Sequence, residues 1–396
     1  MTGQRTDPGE LREQMVQRLA ENTYLAQWEA SLAPWWSALA AVPRHRYIPD
    51  LVWIDNDGNG PTLLPLHRDD GPDRWLELAY ADDAVITQID DGRPAGPGPG
   101  GTMPTSSASS PIMVAVMLAA LDAAAGHRVL EIGTGTGYNA ALLADRLGAE
   151  RVISIEVDPE IAAHARKALS DTGYGEVAVV TGDGSLGHPP GAPYDRIVAT
   201  AAAQRIPYSW VEQTRAGGKV LLPWANSYTG ALVALAVGRN GDASGSIVAE
   251  SSFMWLRDQR ERRGPVAAVV GDDEDRAEVN TTDLHPYWVT GDQGAQFAIG
   301  QRVPQCQWRY WSYDEKDGAG VLWLLDPDSR SWAKLTHLTP DASDDEFPVR
   351  QYGPRRLWDE VEAAHGWWVR QGKPDADRWK FTVTPQGQRI ELTAAL

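Results

Sequence analysis

The stretch Val129-Leu130-Glu131-Ile132-Gly133-Thr134-Gly135-Thr136-Gly137-Tyr138-Asn139 limits what this chain can fold into more than any other. Four residues of a buried parallel strand run into three alternate glycines, and the helix formers Ala140 to Leu147 follow directly. Only glycine lets a backbone turn that sharply and come within contact distance of a ligand, so strand, loop and helix together describe a nucleotide or cofactor cradle. A dinucleotide fingerprint needs G-x-G-x-x-G, but the sixth position here is Tyr138. A phosphate-binding P-loop would end in Gly-Lys-Ser/Thr, and the loop has no lysine. The pattern is E-x-G-x-G-x-G, which fits S-adenosylmethionine best.

A length of 396 residues allows about two domains and needs no disulfide or metal staple to bury a core. Cys306 is the single cysteine, so no internal disulfide and no thiolate metal cluster can form; no metal is expected. The first residues are polar and charged and no run approaches 18 apolar residues, so a soluble, cytoplasmic protein without a membrane partner is expected. A formal charge of -18 argues against nucleic acid, because phosphate contacts need lysine and arginine clusters.

Three segments follow from the pattern. Residues 1–90 read as a helical and extended segment. Gly9 to Val42 forms short helices broken at Pro34, Asp50 to Trp75 is loop-like, and an extended stretch resumes at Ala79. Residues 91–238 form the cofactor-binding core. Asp91 to Thr105 is a Gly/Pro-rich flap that delivers Ser106-Ser107-Ala108-Ser109-Ser110-Pro111, and a proline-led, serine-capped apolar helix follows from Ile112 to Ala124. From Arg128 strands and helices alternate, with strands at Val129–Ile132, Val152–Glu156, Val177–Val180, Arg196–Thr200 and Lys219–Leu222. This is an α/β fold, a doubly wound parallel sheet with its ligand at the carboxyl edge. Residues 239–396 form a tryptophan-rich α+β module of antiparallel strands and a covering helix, mostly core but with aromatic and arginine clusters suited to peptide recognition.

Further features fall on the carboxyl edge. Glu156 ends the second strand, 25 residues beyond Glu131, where a carboxylate can accept both ribose hydroxyls. Gly182-Asp183-Gly184 ends the third strand and would set a carboxylate beside the adenine amino group; Thr200 ends the fourth. In register with the glycine loop, these positions describe a methyltransferase site.

Residues 42–49, 79–83 and 102–224 resemble protein-L-isoaspartate O-methyltransferase. The matching motifs are Val42-Pro43-Arg44 with Tyr47 and Pro49, Ala79-Tyr80, Ser109-Ser110-Pro111-Ile112-Met113-Val114-Ala115, the glycine loop, Gly182-Asp183-Gly184, Pro193-Tyr194-Asp195, Thr200-Ala201-Ala202 and Leu222-Pro223. The resemblance implies that Ser109 holds the substrate carboxylate, with Ser107 and Ser110 as flanking candidates. It also implies that Glu131, Gly133, Thr134, Gly135, Gly137, Glu156, Asp183, Gly184 and Thr200 serve the cofactor.

Three departures stand out: Ser110 where the family usually has Gln or Ala, a loop of some 25 residues inserted between Pro49 and Ala79, and about 150 residues after the core. They resemble an actinobacterial subgroup that modifies ribosomally made peptides such as lanthipeptides and graspetides. That resemblance implies esterification of an ordinary aspartate in a macrocyclised precursor peptide, the ester collapsing to aspartimide or isoaspartate. Isoaspartate repair is the alternative within the enzyme class, and a non-catalytic peptide-binding module on a vestigial fold is the alternative outside it. A carboxyl acceptor suits the sequence on chemical grounds: with a reference pKa of about 3.9 it is already a nucleophile at neutral pH and needs no general base.

Overall fold

A computed structural model describes residues 6–55, 62–93, 100–262, 265–312, 320–337 and 346–393. The chain divides into two compact units. One comprises Met1–Pro223, Leu232–Leu256 and Phe381–Arg389; the other comprises Trp224–Ala231, Arg257–Lys380 and Ile390–Leu396.

In the first unit, α1 (Pro8–Glu21) starts at Asp7, whose side chain accepts from the Gly9 amide, with proline in the first turn. Met15 and Leu19, four residues apart and therefore on one face, are buried. The single turn α2 (Glu29–Leu32) and α3 (Trp36–Ala41) follow, with Pro34 inside a 3-10 turn between them.

Of the stretch expected to be loop-like, residues 56–61 lie outside the described residues, and much of the rest forms regular elements. β1 (Leu51–Ile54) and β2 (Leu64–His67) pair antiparallel, Leu51 opposite His67, and α4 runs from Pro72 to Tyr80. Two local features make the helix. Pro72 sits in the first turn of α4, where its missing N–H has no partner to lose. Trp75, Leu76, Ala79 and Tyr80 form a buried helical stripe, so Ala79-Tyr80 ends a helix and begins no extended segment. Each strand is four residues long, too short for its alternation to show without the strand that pairs with it.

β3 (Val85–Ile89) and β4 (Pro104–Ala108) complete a four-stranded sheet in the order β2-β1-β3-β4. Of the expected flap, residues 94–99 lie outside the described residues, and Pro104 onward is strand. Ser106 and Ser107 therefore belong to β4. Ser110 then caps α5 (Pro111–Leu121), its hydroxyl accepting from the Met113 amide.

The nucleotide-binding core follows. β5 (Val129–Ile132), α6 (Tyr138–Leu147), β6 (Val152–Glu156), α7 (Pro159–Asp171), β7 (Ala178–Thr181), β8 (Tyr194–Ala199), α8 (Tyr208–Glu212) and β9 (Thr214–Ala225) alternate along the chain. With β10 (Gly230–Val237), β11 (Ala243–Glu250), β17 (Trp379–Thr384) and β18 (Gly387–Leu392), they build a nine-stranded sheet ordered β18-β17-β11-β10-β9-β8-β5-β6-β7. The pairs β5–β6, β6–β7, β5–β8 and β8–β9 are parallel. Chain order reverses between β5 and β8, which makes the carboxyl end of β5 the switch point where doubly wound sheets bind ligands. All four residues of β5 are buried, as expected of a strand covered on both faces.

In the second unit, β12 (Glu278–Thr282), β13 (Gln307–Ser312), β14 (Gly320–Asp326), β15 (Ser331–His337) and β16 (Phe347–Tyr352) form an antiparallel sheet ordered β12-β16-β15-β14-β13. Alternation along β14 sorts its two faces. Leu322 and Leu324 join Leu357, Trp358, Val361 and Ala364 of the helix Leu357–Arg370, whereas Val321, Trp323 and Leu325 join Val269 and Val270. Trp332 and Trp358 are fully buried; Trp288 and Trp311 are exposed. Among the described residues no helix is long and apolar enough to cross a membrane.

Candidate functional site

The glycine loop leaves β5 with its backbone over the end of β6: the amides of Gly133 and Thr134 both donate to the Ile155 carbonyl. Gly133, Gly135 and Gly137 take φ of 93°, 53° and 88°, the left-handed region that favours glycine. A Cβ on Gly133 would stand 2.7 Å from Thr200 Oγ1, so a side chain there would drive into the end of β8. Thr200 closes that contact by donating to the Gly133 carbonyl.

Glu131 points inward, not toward the loop's open side. Its carboxylate is fully buried and accepts from Asn139 Nδ2 at 2.7 Å and from Ser154 Oγ, while Ser154 Oγ lies 2.6 Å from Thr134 Oγ1. Burial pushes the Glu131 carboxyl up to about 7, against the pull of its two donors, and the Glu156 charge adds to the rise. Glu131 thus ties β5, β6, the loop and α6 together from beneath. Nothing in the sequence pointed to Asn139 or Ser154, because each is defined only by what it meets in space.

Glu156 ends β6 facing the loop. One oxygen accepts from the Gly135 amide at 2.9 Å and the other from the Asp158 amide at 3.1 Å. A carboxylate accepts through both of its oxygens, and these two amides orient it toward the loop in the way that suits a pair of ribose hydroxyls. Asp183 is exposed at the end of β7 and accepts from the Ser185 amide at 2.8 Å. Gly184 is buried; a Cβ there would come within 2.5 Å of Ile132 Cγ2, which keeps that wall flat. Positive-φ glycines, a preoriented carboxylate and a flat wall fit an adenosine-bearing cofactor.

The acceptor segment meets this cradle from β4. Ser107 and Ser109 are half-buried, and a Cβ on Gly135 would stand 3.7 Å from the Ser107 carbonyl oxygen. Ser110 is committed to capping α5. Arg44, fully buried, donates from Nη2 to the Ala108 carbonyl at 3.2 Å and from Nε to the Ala79 carbonyl at 2.7 Å, with its guanidinium 5.2 Å from the Tyr138 ring centre. Farther along the same sheet edge, Gln388 accepts from the Ile206 amide and donates to the Gln204 carbonyl, both at 2.8 Å. A residue near the C-terminal end thus pins the loop that follows Thr200, a contact the order of residues could not announce.

A doubly wound sheet with this loop at its switch point defines a class I S-adenosylmethionine-dependent methyltransferase. Residues 75–261 match the family model described as Protein-L-isoaspartate(D-aspartate) O-methyltransferase (PCMT). A protein-L-isoaspartate O-methyltransferase of Methanopyrus kandleri is 37% identical over 214 residues, 54% of this chain and 76% of that protein. One of Ignicoccus hospitalis is 48% identical over 116 residues, 29% of this chain but only 55% of the relative's length. A solved structure of the same name shares the fold at a TM-score of 0.52 and 20% identity, covering 97% of this chain and 100% of that one. The chain belongs to the protein-L-isoaspartate O-methyltransferase family, whose members are S-adenosylmethionine-dependent carboxyl O-methyltransferases.

Proposed function

We propose that this chain esterifies an aspartyl-type side-chain carboxylate, and that its substrate is a macrocyclised ribosomal peptide rather than a linear isoaspartyl one. The observation that carries the acceptor assignment is the meeting of β4 with the glycine loop at Ser107, which sets the segment Ser107–Ser110 beside the cofactor cradle.

Bound S-adenosylmethionine supplies an electrophilic methyl group. Gly133, Thr134, Gly135 and Gly137 would form its cradle, Glu156 would hold the ribose, and Asp183 and Gly184 would flank the adenine, with Thr200 bracing the loop and Glu131 anchoring it from below. The Ser109 hydroxyl donates to one oxygen of the acceptor carboxylate and leaves the other free to attack. Transfer of that methyl to a carboxylate oxygen would leave the electron pair of the broken bond on sulfur, so no residue here would have to move a proton. The residues therefore contribute alignment, which can lower a barrier by roughly 7 to 11 kcal/mol.

The cyclic-substrate reading is supported by the inserted segment. β1 and β2 extend the sheet that ends in β4, so the insertion is built onto the acceptor strand's own sheet. The C-terminal length adds nothing to this reading, because a protein-L-isoaspartate O-methyltransferase of like fold matches nearly the whole chain. A peptide already held in a ring loses less freedom on entering such a surface.

Mass spectrometry of a cyclic aspartyl peptide and a linear isoaspartyl peptide, incubated separately with enzyme and S-adenosylmethionine, tests both levels. The cyclic peptide should gain one methyl and then lose methanol as the ester closes to aspartimide. Methylation confined to the linear isoaspartyl peptide would replace tailoring with repair; methylation of neither would favour the non-catalytic module.

A further inference from the structure

The β3–β4 pair is irregular at its centre. Ile86 faces Ser107, Gln88 faces Ser106 and Ile89 faces Pro104, so the register slips on both sides of Gln88 and leaves Thr87 and Thr105 without ladder partners. Such bulges re-aim side chains and loosen the strand that carries them. At this point the side chains take over from the backbone. Thr105 Oγ1 donates to Gln88 Oε1 at 2.8 Å, and Gln88 Nε2 donates to Asp158 Oδ2 at 3.1 Å.

Asp158 divides its two oxygens. Oδ1 caps α7 by accepting from the amides of Glu160 and Ile161, and Oδ2 receives Gln88. Its own amide donates to Glu156 Oε1, while the other oxygen of Glu156 holds the Gly135 amide. An unbroken path of hydrogen bonds therefore runs from the glycine loop through Glu156, Asp158 and Gln88 to Thr105, four residues before Ser109.

We propose that Gln88 is a positioning residue that couples occupation of the cofactor site to ordering of the acceptor strand, so that the peptide site is completed only when the cofactor is bound. The proposal rests on the reading that the glycine loop and Glu156 hold S-adenosylmethionine and that β4 presents the acceptor. Ribose hydroxyls would add to the hold that the Gly135 and Asp158 amides already have on the Glu156 carboxylate, which steadies Asp158 through its amide and Gln88 through the Asp158 carboxylate. The bulged part of β4 then loses the freedom its broken ladder allows. Coupling of this kind is reciprocal, so an ordered acceptor strand also tightens cofactor binding. Gln88 touches neither reactant and lies outside the cofactor and acceptor residues, so its removal separates coupling from binding.

The test is hydrogen exchange of the full chain with and without saturating S-adenosylhomocysteine, for the wild type and for Gln88→Leu, which keeps volume and removes both hydrogen bonds. Thr105→Val breaks the path at its other end and serves as the second variant. In the wild type the ligand should slow exchange across residues 133–137 and also across 85–89 and 104–109, the latter by about fivefold or more. In both variants residues 133–137 should still be protected while 104–109 exchange as fast as without ligand. Slowing of 104–109 in Gln88→Leu equal to the wild type, or no slowing there in the wild type, overturns the proposal. No protection of residues 133–137 in the wild type instead overturns the cofactor assignment itself.

Discussion

Replacing Glu131 with glutamine should remove a pH dependence of stability built into the core beneath the glycine loop. Burial, more than any neighbouring charge, raises this carboxyl from its usual 4.5 to about 7. Between those values the folded protein holds a proton that the unfolded chain has released. The stability contributed by Glu131 is therefore full below about pH 4.5 and is lost as pH rises through about 7. At roughly 1.4 kcal/mol per tenfold, the separation amounts to about 3 kcal/mol, an order-of-magnitude figure. Glutamine fits the same pocket: its oxygen accepts from Asn139, its nitrogen donates to Ser154 Oγ, and that hydroxyl turns to donate to Thr134, reversing a bond whose direction is free. The variant keeps three hydrogen bonds and has no proton to lose. Thermal unfolding of both proteins from pH 5 to 8 at constant ionic strength is the assay. With about 2–4 °C per kcal/mol for a domain of this size, the difference between their melting temperatures should change by roughly 6–12 °C in the variant's favour as pH rises. Melting curves that stay parallel across this range would refute the reasoning and leave Glu131 ionised throughout.

Three further substitutions probe the site. Glu156→Ala removes an acceptor for two ribose hydroxyls at roughly 1–3 kcal/mol for charge-assisted bonds; calorimetric titration with S-adenosylhomocysteine should show affinity weakened about ten- to hundredfold, and an unchanged affinity would take Glu156 out of the site. Ser109→Ala should slow methyl transfer while leaving that titration unchanged, since the hydroxyl meets the acceptor and not the donor; peptide turnover at the wild-type rate would move the acceptor site elsewhere. Ser110→Ala deletes the cap of α5 and should lower stability by about 1 kcal/mol in denaturant unfolding, with little change in cofactor affinity; a stability equal to wild type would show that the helix start is held by other contacts.

The order of residues determined the alternating core and its ligand edge, because those features are local. A buried strand, three glycines that must take positive φ, and a helix run consecutively from Val129 to Leu147, and Glu156, Asp183 and Thr200 fall at strand ends whose apolar runs mark them. The serine cap of α5 is legible for the same reason: cap chemistry acts within a few residues. Tertiary structure decided the rest. β1 and β2 are too short to be read without the partner that pairs them, and Phe381–Arg389 joins the sheet of the first unit although its sequence neighbours pack with the second. Glu131 becomes a loop anchor only because Asn139 and Ser154 converge on it, and Gln88 acquires a role only through Asp158, 70 residues away. Such contacts depend on burial and on chain segments brought together by folding, and neither is encoded in the spacing of residues along the chain.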